Sequence, residues 1–266
     1  MAKARSKVRS RVVNYALIII AVLLILYGLY GVIGVRINVE PVTAMSDVAI
    51  IDGLSQDYPN STLIETLVGL FESKGYTVTV YNSSSLTVDL LGKVLCSNYS
   101  IVVMRIHGGR VFDERGKDTG LVALFTSEPY NETGYKNLQA RGLVGRGRPA
   151  LNPEKEVFVV TPLYVKSLEC STTPKIVIVA SCYSMNSTSM AEALTSKGVK
   201  VYIGWDDLVQ ADINDYALER VVRELLNGST ISKAVGSTYN LTQLSKMLYY
   251  PIAAGSYTLQ ELLGGK

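Results

Sequence analysis

The chain has 266 residues, of which 48% are hydrophobic and only 18% charged, and its 26 Lys and Arg against 23 Asp and Glu give a net charge of +3. That balance is too apolar for a disordered chain and poor in charge for a soluble cytosolic domain. Lys3, Arg5, Lys7, Arg9, Arg11 and Arg36 put six basic groups and no acidic one into residues 1–36, leaving 20 basic against 23 acidic groups beyond them. The basicity belongs to one end, so nucleic acid loses its electrostatic case as a partner.

Residues 12–35 (VVNYALIIIAVLLILYGLYGVIGV) form an almost unbroken apolar run, and about 20 such residues suffice for a helix to cross a bilayer. Five basic residues precede the run and one follows, a bias that holds the N-terminus in the cytoplasm. The expected organisation is a cytoplasmic basic tail at 1–11, a transmembrane signal anchor at 12–35 and a linker at 36–47. An extracellular domain then follows, on a single-pass protein of the cell membrane. A cleaved signal peptide fits less well, because the run is long and no small-x-small site follows it cleanly. Sequons begin at Asn60, Asn82, Asn98, Asn131, Asn186, Asn227 and Asn240. All but Asn186, which lies close to the candidate site, are glycosylation candidates on a glycoprotein.

Beyond the linker, apolar strands alternate with helical stretches. Residues 48–52 (VAIID) read as a strand, 61–74 as a helix with Leu63, Leu67 and Leu70 at helical spacing, and Gly75 as its stop. Residues 76–81 form the second strand, 86–95 a helix and 100–106 (SIVVMRI) a third strand that ends in His107-Gly108-Gly109. The stretch 110–175 breaks the rhythm as an insertion with strands at 121–126 and 157–161. Between them, Arg141, Arg146 and Arg148 lie among glycines in what reads as a surface loop. Residues 175–180 (KIVIVA) return to strand and run into Ser181-Cys182. A helix at 188–197, a strand at 201–204, helices at 211–226 and 230–248 and a tail at 251–266 complete the chain. Strands apolar on both faces require helices on both sides, so 48–250 is expected to be one α/β domain with a mostly parallel sheet.

Open α/β sheets bind ligands beyond the carboxyl ends of their strands, and His107 and Cys182 each follow such an end. If the two strands are neighbours, the pair has the composition of a nucleophile and its base. The backbone N–H groups of Gly108 and Cys182 would then receive a developing oxyanion. The bland alternative is a buried cysteine and a turn histidine. Cys96 and Cys170 form a possible disulfide that would leave Cys182 free, although three reduced, buried thiols are equally compatible with the sequence. No cysteine or histidine spacing suggests a metal site.

The block IVVMRIHGG, followed 75 residues beyond His107 by KIVIVASCYS, resembles the caspase-like (clan CD) cysteine peptidase superfamily, on its clostripain, gingipain and CHAT side. The resemblance covers roughly 48–247. It implies a three-layer caspase-like fold and a membrane-anchored cysteine endopeptidase, with His107 as base, Cys182 as nucleophile and a polypeptide as substrate. The family's pocket for the residue before the cut lies partly on the strand end after the cysteine, here Trp205, Asp206 and Asp207. An acidic pocket there would suit Arg or Lys, with Asp52 a rival wall. In an Arg-specific enzyme, RGLVGRGR at 141–148 would be a self-cleavage site. No cofactor is implied, although calcium activates some relatives. Other relatives are adapted, so a non-catalytic protein-interaction module at the cell surface is the alternative function.

Overall fold

A computed structural model of the chain describes residues 37–38, 47–150, 152–170 and 172–264. The first half comprises β1 (Ile37–Asn38), β2 (Val48–Asp52), α1 (Ser61–Glu72), β3 (Val78–Asn82), α2 (Val88–Leu95) and β4 (Ile101–Arg105). Next come β5 (Gly108–Phe112), β6 (Asp118–Pro129), α3 (Lys136–Gln139), β7 (Val144–Gly147), β8 (Val157–Val160), α4 (Pro162–Ser167) and β9 (Leu168–Glu169). The chain closes with β10 (Ile176–Ala180), α5 (Ser189–Thr195), β11 (Val201–Trp205), α6 (Ala211–Leu226), α7 (Ile231–Gly236), β12 (Met247–Tyr250) and α8 (Leu259–Leu263).

The main sheet has six strands in the order β12-β11-β10-β4-β2-β3, parallel throughout except for β12, which runs antiparallel to β11. Every residue of β2, β4, β10 and β11 is buried, which explains why these segments are continuous apolar runs rather than alternating ones. On one face Ile50, Val103, Ile178 and Ile203 pack with Leu63, Leu67 and Phe71 of α1 and Leu218 and Val222 of α6. Each such side chain contributes about 2 kcal/mol on burial. Asn60 starts α1 by accepting from the Leu63 N–H, as an N-cap residue does.

The register positions the site. Asp52 pairs with Arg105, and Arg105 with Ala180, so β2, β4 and β10 end level with one another. His107 and Cys182, each two residues past its strand, therefore emerge from neighbouring strand ends. The strand order reverses between β2 and β4, one strand away from the β4–β10 pair of ends that carries His107 and Cys182.

The expected mostly parallel, three-layer architecture requires correction to a mixed α/β fold. Between β4 and β10 the chain builds a second, four-stranded antiparallel sheet, ordered β5-β6-β8-β7. It begins at Gly108 rather than 110. Residues 144–147, expected in a loop with a self-cleavage site, form strand β7, hydrogen-bonded to β8. The glycines misled because they report close packing. A Cβ on Gly147 would meet Val159 and the Phe125 ring, whose nearer atom is 2.8 Å away, and glycine inside a strand marks such an approach. The expected helix at 230–248 stops at Gly236, and MLYY becomes edge strand β12. The apolar helical spacing ends at Val235, and two tyrosines with a leucine suit a half-buried strand. Within the expected tail, Thr258 and Glu261 form a capping box that starts α8.

The expected anchor at 12–35 lies outside the described residues, as do the 1–11 tail and most of the 36–47 linker. Among the described residues no helix is long and apolar enough to cross a membrane. The single-pass topology, the membrane partner and the cell-membrane location therefore have no footing in the structure.

Candidate functional site

Beneath the strand ends lies a buried ionic cluster. Arg105 is fully buried. Its Nε and Nη2 donate to the two carboxylate oxygens of Asp215 at 2.6 and 2.8 Å, its Nη1 to Asp52 at 2.8 Å and its Nη2 also to the Tyr58 carbonyl at 2.8 Å. Asn60 Nδ2 adds a donor to Asp215 at 2.9 Å. One guanidinium thus ties β4 to β2, to α6 and to the 53–60 turn. Burial pushes the Asp52 carboxyl up from its ordinary value, against the pull of Arg105. Asp52, expected as a pocket wall, is instead a buried partner of Arg105.

Above the cluster, His107 Nε2 lies 3.2 Å from Asp57 Oδ2. A carboxylate only accepts, so the ring nitrogen carries the hydrogen and donates. Asp57 also reaches Lys155 Nζ at 3.6 Å. Burial lowers the imidazole's pKa and outweighs the opposing attraction of Asp57, so the contact joins a neutral imidazole to a carboxylate. Asp57 lies in the SQDYPN turn, whose composition marks only a turn.

The Cys182 thiol donates to the Val209 carbonyl at 3.5 Å, and burial pushes its pKa up. A carbonyl oxygen only accepts, so this bond requires the thiol to keep its hydrogen. The following residue, Tyr183, takes a left-handed backbone with φ of 58°. That conformation costs an L-residue about 1–2 kcal/mol. Its N–H donates to the Asp207 carbonyl at 3.1 Å, which fixes the turn. Gly108 is pressed against the same turn, and a Cβ there would meet Ser181 Oγ and the Cys182 carbonyl.

His107, Gly108, Cys182 and Tyr183 line one cleft of about 530 Å³. Its floor is a face of the second sheet, where Ala123 and Phe125 of β6 and Val159 of β8 alternate inward. Gly145 leaves that face open, a Cβ there meeting only Val159 at 3.7 Å, whereas Gly147 is packed against Val159 and Phe125. Strand β7 lines the cleft with all four of its residues. Arg110, Arg146 and Arg148 border the cleft, and among the described residues no Asp or Glu lines it.

The expected pocket residues lie elsewhere. Trp205 is fully buried and donates from Nε1 to Asn214 Oδ1 at 2.9 Å. Asp206 accepts from the Lys246 N–H at 2.7 Å, and Asp207 from the Leu208 N–H at 2.7 Å. Neither aspartate lines the cleft. Arg146 and Arg148 stand among glycines in the stretch expected as a surface loop, whereas Arg110 opens the insertion directly after Gly109.

Cys96 and Cys170 are joined in a disulfide across 74 positions, which leaves Cys182 as the free thiol. Among the described residues no three His, Cys, Asp or Glu side chains converge to hold a metal ion. Of the glycosylation candidates, Asn82, Asn98, Asn131, Asn227 and Asn240 are exposed. Asn60 is committed to Leu63 and Asp215 through both ends of its amide.

These observations overturn the cysteine endopeptidase. Two cysteines are consumed in a disulfide, and the remaining thiol is held protonated by burial and a carbonyl. The histidine is held neutral on Asp57, and no hydrogen bond joins it to Cys182 among the described residues. A Cys/His dyad needs a thiolate beside an imidazolium, and here burial disfavours both charges. In comparisons with known proteins, no protein-family model matches the chain and no curated protein matches it.

Proposed function

We propose that the chain is a non-catalytic protein-interaction module on this mixed α/β fold, and that its cleft receives an extended polypeptide segment. The resemblance is supported by the strand order, in which the His107-bearing and Cys182-bearing strands are parallel neighbours. The observation that carries the function is the form of the cleft. It is open, apolar at its floor and bordered by edge strand β7 along that strand's whole length, while the two reactive side chains inside it are neutral and separately partnered. An edge strand offers backbone donors and acceptors to an incoming strand, and alternate pockets then take its side chains.

The test is a fluorescent peptide library presented to the purified full-length chain and read by anisotropy. A blocked variant, Gly145→Phe, serves as control. A Cβ at Gly145 meets only Val159, at an ordinary 3.7 Å, so the fold survives while the ring fills the groove. The module reading expects peptides bound by wild type and lost in Gly145→Phe, with no peptide cleaved. Binding untouched by Gly145→Phe, or cleavage that disappears in Cys182→Ala, would overturn it.

A further inference from the structure

We propose that the Cys96–Cys170 disulfide is a redox-sensitive clamp, and that its reduction by a dithiol frees β9 and the β1 strand paired to it while the main sheet stays folded. The inference is independent of the cleft and of the binding function proposed for it. The disulfide and the free thiol lie at opposite ends of β10, since Cys170 precedes that strand and Cys182 follows it. Cys182 is thereby kept from exchange with the pair.

The two sulfurs differ in access. Cys96 is fully buried and caps α2, its N–H donating to the Gly92 carbonyl. Cys170 is half-buried and lines an open cavity of about 360 Å³ together with Tyr99, Thr172, Lys175 and Lys197. Among the described residues no Asp or Glu lines that cavity, so an approaching thiolate meets no like charge there. Access decides which sulfur of a disulfide is attacked, and here it selects Cys170.

The segment on the Cys170 side is lightly built. β1 and β9 pair at two positions, Ile37 with Leu168 and Asn38 with Glu169, which is far short of a ladder that stands by itself. Leu168 is fixed independently of the disulfide: it is buried, and its carbonyl accepts from Lys197 Nζ at 2.6 Å. Between Leu168 and β10, Thr172 Oγ1 donates to the Cys96 carbonyl at 3.2 Å and Thr173 Oγ1 to the Lys197 carbonyl at 3.0 Å. Neutral hydrogen bonds of this kind contribute little net stability, so the covalent bond is the strong tie between this segment and α2. Opening it loosens the Asn38–Glu169 half of the pairing. β10 remains in register with β4 from Ile176 onward, and α2 keeps Leu91, Val94 and Leu95 buried.

The chemistry is thiol–disulfide exchange. A thiolate of the dithiol bonds to Cys170 Sγ, the S–S bond breaks, and its electron pair leaves on Cys96 Sγ, which takes up a proton. The second thiol of the reductant then attacks the reductant's own sulfur in that mixed disulfide, closes its disulfide and releases Cys170 as a thiol. Two electrons pass from the dithiol, which is oxidised, to the cysteine pair, which is reduced.

The test uses the full-length chain at neutral pH with dithiothreitol as the dithiol. Iodoacetamide trapping with peptide mapping follows the thiols, Trp205 emission follows the fold, and hydrogen exchange in sub-denaturing urea follows each strand. Without urea, Cys96 and Cys170 should both become trappable while the emission stays native. Amides of β1 and β9 should then exchange about tenfold faster than in the oxidised chain and with no dependence on urea, the mark of local opening. Amides of β4 and β10 should still exchange through global unfolding alone. Cys96→Ser with Cys170→Ser should reproduce this pattern without reductant; if that variant does not fold, the reduced wild type decides the matter. Reduction that requires urea, native emission lost on reduction, or β1 and β9 protected as strongly after reduction as before would each overturn the clamp.

Discussion

Replacing Arg105 by methionine removes the cation while retaining most of the side chain's length, and it isolates the contribution of the buried cluster. The variant loses four donor contacts, three of them to carboxylates. It leaves Asp52 and Asp215 without their cation in a region where the arginine is fully buried. Breaking such a buried pair from one side costs about 3–5 kcal/mol, because the remaining charges stay desolvated. Against a typical domain stability of about 5–15 kcal/mol, that loss brings the fold close to its limit. Urea unfolding followed by tryptophan emission is a direct assay. The chain has one tryptophan, Trp205, and its Nε1 bonds to Asn214, next to Asp215 in sequence. A second variant carrying Arg105→Met with Asp52→Asn and Asp215→Asn removes the orphaned charges and should recover a large part of the loss. A cost below about 1 kcal/mol for Arg105→Met, or no recovery in the triple variant, would refute the view that unpaired buried charge is the cause.

Further outcomes follow from other parts of the molecule. The folded-state pKa of His107 lies below 6.5, so between that value and 6.5 the unfolded chain binds more protons; stability should rise with pH through this window and be complete above it. Urea midpoints from pH 5 to 7.5 should lose part of that slope in His107→Gln, and an unchanged slope would contradict the assignment. The Cys182 thiol titrates above its usual 9.0, so iodoacetamide should label native protein more slowly than urea-unfolded protein at neutral pH; a labelling inflection below pH 8 would be incompatible with a buried protonated thiol. Removing the disulfide as Cys96→Ser with Cys170→Ser releases a loop closed over 74 positions, and loop entropy sets the loss at up to about 4.5 kcal/mol; unchanged unfolding would show that the reduced chain retains the constraint. Gly147→Ala should destabilise the second sheet by about 1–3 kcal/mol through its clash with Val159 and Phe125, whereas Gly145→Ala should be nearly neutral, and the reverse order would contradict the packing of β7.

The buried parallel strands were legible because burial on both faces leaves no freedom of composition. VAIID, IVVMR, IVIVA and VYIGW can be little other than central strands. Their ends were legible for the same reason, since His107 and Cys182 stand where apolar runs stop. The second sheet was not. Its strands β5 and β7 contain Gly108, Gly109, Gly145 and Gly147, which lack the side chains that signal a strand. They are glycine because neighbouring atoms occupy the space a Cβ would take or because the groove lies above them. Asp57 was hidden for a different reason: nothing within a turn reveals that a histidine 50 positions onward will meet it. Asp206 and Asp207 are adjacent in sequence to a strand end, yet neither lines the cleft: Asp206 accepts from the Lys246 N–H, and Asp207 from the Leu208 N–H and the Tyr183 hydroxyl.

Proximity at neighbouring strand ends also has an electrostatic consequence that sequence position does not convey. Level strand ends bring imidazole and thiol into one cleft, but the same packing desolvates both. Desolvation raises a thiol and lowers an imidazole, so burial opposes the thiolate–imidazolium pair from both sides unless each group finds a partner that stabilises its charge. Cys182 finds a carbonyl, which stabilises S–H. His107 finds a carboxylate, but burial prevails over it. The strand ends therefore bring a thiol and an imidazole into one cleft while burial opposes the charge of each.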